Sequence, residues 1–223
     1  MQIVIATTNP HKLGEMLQIL PALDAQGRQI EYLSLKQFPA FKEVEESGAT
    51  LEENAVLKAV AARDFTGLAS LADDTGLIVD FLGGAPGVLS ARYAGPQHDY
   101  KANNEKLLRE LEAVPFESRT ARFMTVSCLA LPRGTGDVSH AGGVSHAGSA
   151  SHAGSEIICR EGSVEGHIAD GYRGEGGFGY DPLFIVKELG KTMAELTPDE
   201  KNQISHRYRS LTAMAQIIQN LVF

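Results

Sequence analysis

Short runs of β-branched and aliphatic residues alternate along this chain with segments in which apolar residues recur every three or four positions. The first pattern is typical of buried strands, and the second of helices that pack one face against a core. The predicted strands are 2–6, 30–33, 70–73, 77–81, 119–131, 156–160, 164–168 and 182–186. The predicted helices are 12–20, 50–64, 99–111 and 205–221. This interleaving predicts an α/β fold in which helices cover a mixed β-sheet.

One segment breaks this alternation. Between residues 134 and 155 the tetrapeptide Ser-His-Ala-Gly recurs, which places His140, His146 and His152 six residues apart. A six-residue step does not keep side chains on one face of a helix, and the glycines leave the backbone loose. We therefore expect a flexible insertion here, with no part in the chemistry, rather than a metal site.

The composition suits one sizeable domain, which can have two lobes. The chain has 223 residues, 43% of them hydrophobic, and a formal net charge of −8. This charge argues against nucleic acid or a membrane surface as the main partner, although a local basic cluster can still bind a nucleotide. No apolar run approaches the roughly 20 residues that cross a bilayer. Because the first twelve residues also lack a basic leader and a cleavage site, we expect a cytoplasmic protein.

The two cysteines, Cys128 and Cys159, both lie in apolar runs with strand character. Their spacing is not the C-x-x-C spacing of common metal and redox pairs. Free cysteine behaves as a small, buried hydrophobic residue. We therefore expect two buried free thiols rather than a disulfide or a metal pair.

The segment after the third predicted strand carries the most chemical information. Two adjacent carboxylates, Asp73 and Asp74, are followed by Thr75 and a predicted glycine turn. Adjacent carboxylates repel each other and lose hydration, so a chain tolerates them most easily beside a cation or a metal-bound phosphate. A glycine-rich loop at 83–87 and then Arg92 follow. The segment predicts a metal-assisted phosphate site, and the alternative is a strand end followed by a solvated turn.

Four further blocks carry side chains that suit the same kind of site. They are 7–12, 45–46, 177–182 and 201–207. In the first block, hydroxyls, an amide and Lys12 stand at a helix start, where backbone N–H groups bind phosphate oxygens. In the third, Phe178 can stack on a base and Asp181 can accept hydrogen bonds from it. Taken singly, these blocks also fit a helix cap, a solvated acidic loop or a tight turn.

Together the five blocks closely resemble the inosine triphosphate pyrophosphatase family. The matching segments come in the family's order and span almost the whole chain. They are Thr7–Lys12, Glu45–Ala59, Leu71–Gly95, Gly176–Phe184 and Ala194–Arg207. The resemblance implies an α/β fold with a long curved mixed sheet, helices on both sides, two lobes around a central cleft, and a homodimer.

The resemblance also implies a reaction, the Mg²⁺-dependent hydrolysis of inosine, deoxyinosine and xanthosine triphosphates to the monophosphate and pyrophosphate. It makes Asp74 the general base and a metal ligand, and Glu45 the other metal ligand, with Glu46 or Asp73 as substitutes. The implied triphosphate-binding residues are Thr7, Thr8, Asn9, Pro10, His11, Lys12 and Thr75. The implied base- and sugar-binding residues are Phe178, Gly179, Tyr180, Asp181, Lys201, His206 and Arg207.

The chain departs from the family pattern at three of these positions. Thr75 stands where serine is usual, and Thr8 and His11 stand where glycine is frequent. Two alternatives remain open, a pyrophosphatase of related fold that acts on methylated or pyrimidine nucleotides, and a module that binds a nucleotide without hydrolysing it. The GGFGYDP and SHR motifs favour purines over the first alternative, and the presence of Asp74 and Lys12 favours catalysis over the second.

Overall fold

A computed structural model describes residues 1–132 and 157–221 of the chain. The predicted insertion at 134–155 lies outside these residues. The strands are β1 (Gln2–Ile5), β2 (Glu31–Ser34), β3 (Ala69–Val79), β4 (Thr120–Ala130), β5 (Ile157–Ile168) and β6 (Phe184–Val186). The α-helices are α1 (Pro10–Ile19), α2 (Leu51–Thr66), α3 (Tyr100–Glu110), α4 (Pro198–Ile204) and α5 (His206–Asn220). Short 3₁₀ turns lie at Leu35–Gln37, Asp80–Leu82, Gly87–Arg92, Phe116–Ser118 and Met193–Glu195.

The six strands form one mixed sheet in the order β2-β1-β3-β4-β5-β6. Strand β1 runs parallel to both of its neighbours, so that Ile3 lies opposite Tyr32 on one side and Ala69 on the other. Strands β5 and β6 are antiparallel, with His167 opposite Ile185. The predicted α/β fold with a mixed sheet is therefore confirmed.

Helix α2 has well-defined signals at both ends. The Thr50 side chain accepts a hydrogen bond from the Glu53 amide at 3.1 Å and so satisfies one of the helix's unpaired N–H groups. The helix ends at Gly67, whose φ of 72° is in the left-handed region that glycine adopts without strain. These two signals set where α2 begins and ends, and two residues of this helix contribute to the candidate site.

Two predicted interruptions of strands are wrong. Residues 69–79 form the single strand β3, so Thr75 and Gly76 continue the strand and make no turn. Residues 157–168 likewise form the single strand β5, although a gap at 161–163 was expected. Aspartate, glutamate and glycine lower strand propensity, but pairing with neighbouring strands overrides that local preference. Helix α4 was not predicted, although its Thr197 and Glu200 form a capping box.

The prediction of two free thiols is also wrong, because Cys128 and Cys159 form a disulfide. Cys128 lies in β4 and Cys159 in β5, and these strands are neighbours in the sheet. Their Cα atoms are 4.2 Å apart. The strand order brings the two cysteines together, and a separation of 31 residues gives no sign of it.

The chain divides into two compact units. The first unit takes its described residues from Met1–Asp74, Val126–Glu161 and Ser210–Phe223, and the second unit comprises Thr75–Thr125 and Gly162–Arg209. Strands β3, β4 and β5 and helix α5 contribute residues to both. No helix within residues 1–132 and 157–221 combines the length and the apolar character needed to span a bilayer.

Each unit has its own hydrophobic core. In the first unit, side chains from β1, β3, β4, α1 and α5 pack together, and the fully buried ones include Ile3, Met16, Leu71, Leu129 and Met214. In the second unit, the core lies among β3, β4, β5, β6 and α3, and its fully buried members include Leu77, Leu107, Leu183, Phe184 and Met193. Burying one such side chain contributes about 1.5–3 kcal/mol, so these cores hold the strands that carry the polar residues described next.

Candidate active site

Asp73 and Asp74 are adjacent in β3, yet each carboxylate pairs with a lysine from a different helix. The Lys12 ammonium of α1 donates to Asp73 Oδ1 at 3.2 Å. The Lys58 ammonium of α2 donates to Asp74 Oδ1 at 2.8 Å. Successive side chains of a strand point to opposite faces, which lets two neighbouring carboxylates reach two separate cations. The expectation that these acids need a nearby positive charge is confirmed.

Helix α2 supplies two residues of this cluster to which sequence reasoning assigned no role. Lys58 Nζ donates to Glu46 Oε1 at 2.7 Å as well as to Asp74. Asn54 Nδ2 donates to the second oxygen of Asp74, Oδ2, at 3.3 Å. Asn54 and Lys58 are four residues apart and so share one face of the helix. Their spacing after the Thr50 cap was the available signal, because it places both polar side chains on the face directed at the sheet.

Of the two adjacent glutamates, Glu46 is the one that the structure brings to Asp74. The two carboxylates share the Lys58 ammonium between them. Glu45 is exposed, and its backbone carbonyl accepts a hydrogen bond from the Ser47 amide at 3.0 Å. Within the described residues, no group of three or more histidine, cysteine, aspartate or glutamate side chains is arranged to hold a metal ion. The carboxylate that shares the Lys58 ammonium with Asp74 is that of Glu46, and the adjacent Asp73 pairs with Lys12.

Burial and charge shift the acidity of the central pair. Burial raises the pKa of Asp74 above the usual aspartate value, the Lys58 and Lys12 ammonium groups oppose this rise, and the Glu46 carboxylate adds to it. Burial alone would lower the pKa of Lys58, but the carboxylates of Asp74, Glu46 and Asp73 raise it overall. Lys58 therefore stays charged, and Asp74 is a carboxylate with more affinity for a proton than an exposed one. A raised carboxylate pKa is typical of groups that exchange protons in active sites.

The segment before α1 forms a helix cap. The Asn9 side-chain oxygen accepts hydrogen bonds from the His11 and Lys12 amides at 2.9 and 3.3 Å. The Thr7 hydroxyl accepts from the Asn9 amide at 3.2 Å. The cap thus holds the start of α1 so that the Lys12 side chain extends to Asp73. The exposed residues of this segment are Thr8, Pro10 and His11.

In the second unit, Asp181 organises the predicted base-binding loop. Its Oδ2 atom accepts from the Phe178 amide at 2.9 Å and from Lys201 Nζ at 2.8 Å. The Lys201 ammonium also lies 4.9 Å from the centre of the Phe178 ring. Gly177 has a φ of 74°, and a Cβ atom there would stand 2.1 Å from Asp181 Oδ2, so only glycine fits. The structure thus brings the predicted residues Phe178, Asp181 and Lys201 into direct contact.

The two residues between Phe178 and Asp181 anchor this loop. The Tyr180 hydroxyl donates to the Ser90 carbonyl at 2.9 Å, and the side chain belongs to the core of the second unit. Burial raises the pKa of the Tyr180 hydroxyl, which keeps it protonated as a donor. The Gly179 carbonyl accepts from Asn104 Nδ2 at 3.0 Å. Asn104 is a further positioning contact that the sequence motifs did not single out.

Of the remaining predicted residues in the second unit, His206 and Arg207 are buried at the start of α5, and Thr75 is half-buried in β3. The Arg207 guanidinium donates to the Thr75 hydroxyl at 2.9 Å, and the Thr75 hydroxyl is 2.7 Å from that of Thr125. The His206 ring stacks on Phe123, with ring centres 4.7 Å apart and planes 18° apart. The Thr75 hydroxyl therefore accepts a hydrogen bond from a cationic side chain, as a serine hydroxyl can, although the threonine side chain carries an added methyl group.

The chain is similar to known proteins over nearly its whole length. A dITP/XTP pyrophosphatase of Elusimicrobium minutum is 49% identical over 219 residues, which is 98% of this chain and 100% of the relative. A dITP/XTP pyrophosphatase of Geobacter sulfurreducens is 47% identical, over 96% of this chain and 94% of the relative. The solved structure of a HAM1 protein from Coxiella burnetii matches with a TM-score of 0.81 and 35% identity, over 99% of this chain and 100% of that one.

The match is not confined to the motifs that carry the polar clusters. The relatives cover the strands and helices of both units, and their names agree with the family resemblance seen in the sequence. The model of the Ham1 family matches residues 3–217, which include every predicted site residue. The chain therefore belongs to the Ham1 family.

Proposed function

We propose that this chain hydrolyses deoxyinosine, inosine and xanthosine triphosphates to the monophosphate and pyrophosphate, with Mg²⁺ as cofactor, and so removes them from the nucleotide pool. The observation that carries the proposal is the buried Asp74 carboxylate, held at one oxygen by Lys58 and at the other by Asn54. Its raised pKa suits a general base. The full-length similarity to proteins named dITP/XTP pyrophosphatase supports the substrate class.

Two charged side chains of the first unit, Asp74 and Lys12, can act on the water and on the leaving group. Hydrolysis between the α and β phosphates needs a water in line with the α-phosphorus, and a fixed carboxylate can orient that water and take its proton. We assign this role to Asp74, because Lys58 and Asn54 prevent its carboxylate from turning. The Lys12 ammonium balances the negative charge that develops on the leaving pyrophosphate.

The carboxylates beside Asp74 fit a magnesium ion in their chemistry. Mg²⁺ prefers oxygen ligands, and it is commonly held by one or two carboxylates together with phosphate oxygens and water. Asp74 and Glu46 already share one positive charge, the Lys58 ammonium. When bound, the ion neutralises triphosphate oxygens. We propose Asp74 and Glu46 as its protein ligands, with the exposed Glu45 as the alternative.

A pair of variants separates the two glutamates. Glu46→Gln is expected to raise the Mg²⁺ concentration that gives half of the maximal rate by about tenfold, while Glu45→Gln leaves it unchanged, because loss of one carboxylate ligand weakens Mg²⁺ binding. Pyrophosphate release over a Mg²⁺ titration measures both. The opposite order of effects would assign the metal to Glu45.

The second unit's side chains suit an oxidised purine. Hypoxanthine and xanthine carry an oxygen acceptor at position six, where adenine carries an amino donor. Lys201 and Arg207 have donors and no acceptor, so they can satisfy the oxygen but not the amino group. Phe178 provides an aromatic face on which a base can stack. We therefore propose that these three residues, with Asp181 and His206, select and hold the base and sugar.

We also propose that the protein is a cytoplasmic homodimer, and that neither nucleic acid nor a membrane is its partner. The formal net charge of −8 supports the second part, because phosphate backbones and anionic lipids repel a negative surface. Light scattering after gel filtration measures the mass of the assembly. A monomer at micromolar concentration would contradict the dimer.

The test of the reaction is pyrophosphate release from deoxyinosine, xanthosine, deoxyguanosine and deoxyadenosine triphosphates. We expect fast release from the first two alone, and a loss of about 10²–10⁴-fold in Asp74→Asn, which is the usual contribution of a general base. Asp80→Asn is the matched control, because Asp80 is an exposed acid in a surface ion pair with Arg122. Tight binding without release would indicate a binding module, and release from methylated or pyrimidine nucleotides alone would indicate a related pyrophosphatase.

A further inference from the structure

A fully buried asparagine links the two carboxylate-bearing segments of the first unit. Asn54 has no exposed surface, and it lies in α2 one turn before Lys58. Its Nδ2 atom donates to Asp74 Oδ2 at 3.3 Å, and its Oδ1 atom accepts from the Gly48 amide at 2.8 Å. One amide group therefore contacts both β3 and the loop that carries Glu46. An ionised carboxylate at this position has no donor for Asp74, and an aliphatic side chain can make neither bond.

The contacts around Asn54 form a closed ring. Asp74 binds Lys58, Lys58 binds Glu46, the chain continues from Glu46 to Gly48, and Gly48 binds Asn54, which binds Asp74 again. The ring fixes Asp74 at both oxygens and sets the position of Glu46 relative to it.

The loop approaches Asn54 so closely that residue 48 has no room for a side chain. A Cβ atom built on Gly48 would lie 2.7 Å from Asn54 Oδ1 and 2.7 Å from the Glu53 Cβ. Such distances are far below ordinary van der Waals contact, so the close approach depends on glycine. Two observations therefore indicate a close contact between Gly48 and Asn54, the 2.8 Å hydrogen bond and the lack of space for a side chain at residue 48.

We propose that Asn54 is a positioning residue for the hydrolysis, which orients the Asp74 carboxylate and anchors the Glu46 loop without touching the substrate. The inference rests on the proposed function. A neutral donor fits this role, because it restricts the carboxylate without adding a charge that would compete with Lys58 for it. The role belongs to the rate of the chemical step, since Asn54 is fully buried.

Kinetics distinguish this role from a contribution to substrate binding. A misplacement of about 1 Å can lower a rate about 10²-fold. Asn54→Leu keeps the number and branching of the side-chain heavy atoms and removes both hydrogen bonds, and Asn54→Ala removes them with a smaller side chain. We expect kcat for deoxyinosine triphosphate to fall about 30- to 100-fold in both variants, with KM changed less than about threefold.

The matched control is Ala59→Gly, also at a fully buried position of α2. Glycine weakens the helix without altering any of the four contacts of the ring. We expect its kcat to stay within about twofold of the wild type, even where its thermal stability falls as far as that of Asn54→Leu. Equal losses of kcat in the control and in the Asn54 variants would overturn the proposal, because lowered stability would then explain both.

A second measurement needs neither substrate nor metal. In the metal-free wild type the Gly48 amide is expected to exchange its hydrogen slowly, because it donates to a buried oxygen. Exchange at Gly48 should become at least about tenfold faster in Asn54→Leu and Asn54→Ala and stay unchanged in Ala59→Gly. Rapid exchange at Gly48 in the wild type overturns the proposal whether or not any variant folds.

The outcomes also separate this inference from the proposed function. If the wild type hydrolyses none of the nucleotides while Asn54 protects the Gly48 amide from exchange, the proposed hydrolysis is contradicted. The catalytic role of Asn54 is then contradicted with it. A wild type that hydrolyses deoxyinosine triphosphate, with unchanged kcat in Asn54→Leu, contradicts the role of Asn54 alone.

Discussion

Replacing Lys58 by methionine tests whether this lysine holds the acidic cluster together. Its ammonium lies 2.7 Å from Glu46 and 2.8 Å from Asp74, and the side chains of Lys58, Glu46 and Asp74 are 17%, 27% and 8% exposed. Breaking a fully buried ion pair costs about 3–5 kcal/mol, and an exposed pair contributes about 0–1 kcal/mol. The partial exposure of Glu46 places this cluster between the two limits. We therefore expect Lys58→Met to lower the free energy of unfolding by about 2–3 kcal/mol, because methionine keeps the packing of the stem and removes the charge.

Urea unfolding in EDTA measures this loss, and two further variants show whether charge causes it. Lys101→Met is the control, because Lys101 is 81% exposed and 3.9 Å from Glu105, and we expect no measurable change there. In the Lys58→Met background, Asp74→Asn should restore part of the stability, since it removes a carboxylate that has lost its partner. A Lys58→Met variant within about 0.5 kcal/mol of the wild type, or a double variant less stable than Lys58→Met, would refute this reasoning.

Three more predictions follow from the described contacts. Because burial raises the pKa of Asp74, the folded state disfavours the ionised carboxylate, and the wild type should lose stability relative to Asp74→Asn as the pH rises above about 4. Melting curves in EDTA measure this, and a difference in melting temperature that does not change with pH contradicts it. Gly166→Ala in β5 would place a Cβ atom 2.2 Å from a carbonyl oxygen of β6 and should cost about 3 kcal/mol in urea unfolding, whereas Gly171→Ala, with open space around it, should cost little. The added Cβ atom of Gly177→Ala would clash with Asp181 Oδ2, so this variant should raise KM for deoxyinosine triphosphate about tenfold with kcat nearly unchanged. Steady-state kinetics measure both constants, and an unchanged KM would mean that this loop does not hold the base.

The sequence pattern was informative where one local interaction decides the structure. The cap at Thr50 predicted α2, which the structure places at Leu51–Thr66. The electrostatic cost of two adjacent acids predicted nearby cations, and Lys12 and Lys58 are present. Both inferences use interactions within a few residues or the general behaviour of charge, so they need no knowledge of the fold.

Other features depend on contacts that no short segment encodes. The choice of Glu46 over Glu45 as the neighbour of Lys58 depends on the direction in which a loop without regular structure turns its side chains. The continuity of β3 through Gly76 depends on strand pairing, which local propensity underestimates. The role of Asn54 emerges only when its two partners, from a loop and a strand, are seen together.

The disulfide between Cys128 and Cys159 changes what a longer connection between β4 and β5 costs the protein. In a chain without a cross-link, each doubling of a loop costs about 0.6 kcal/mol of closure entropy on folding. The disulfide holds the ends of this connection together in the unfolded chain as well as in the folded one. Most of the closure entropy is therefore lost in both the folded and the unfolded state, and it cancels from the free energy of folding. Residues 134–155 lie between these cysteines in the sequence. The oxidised protein should therefore accept foreign peptides of varied length at this point, which makes it the natural position for grafting an epitope or a surface tether.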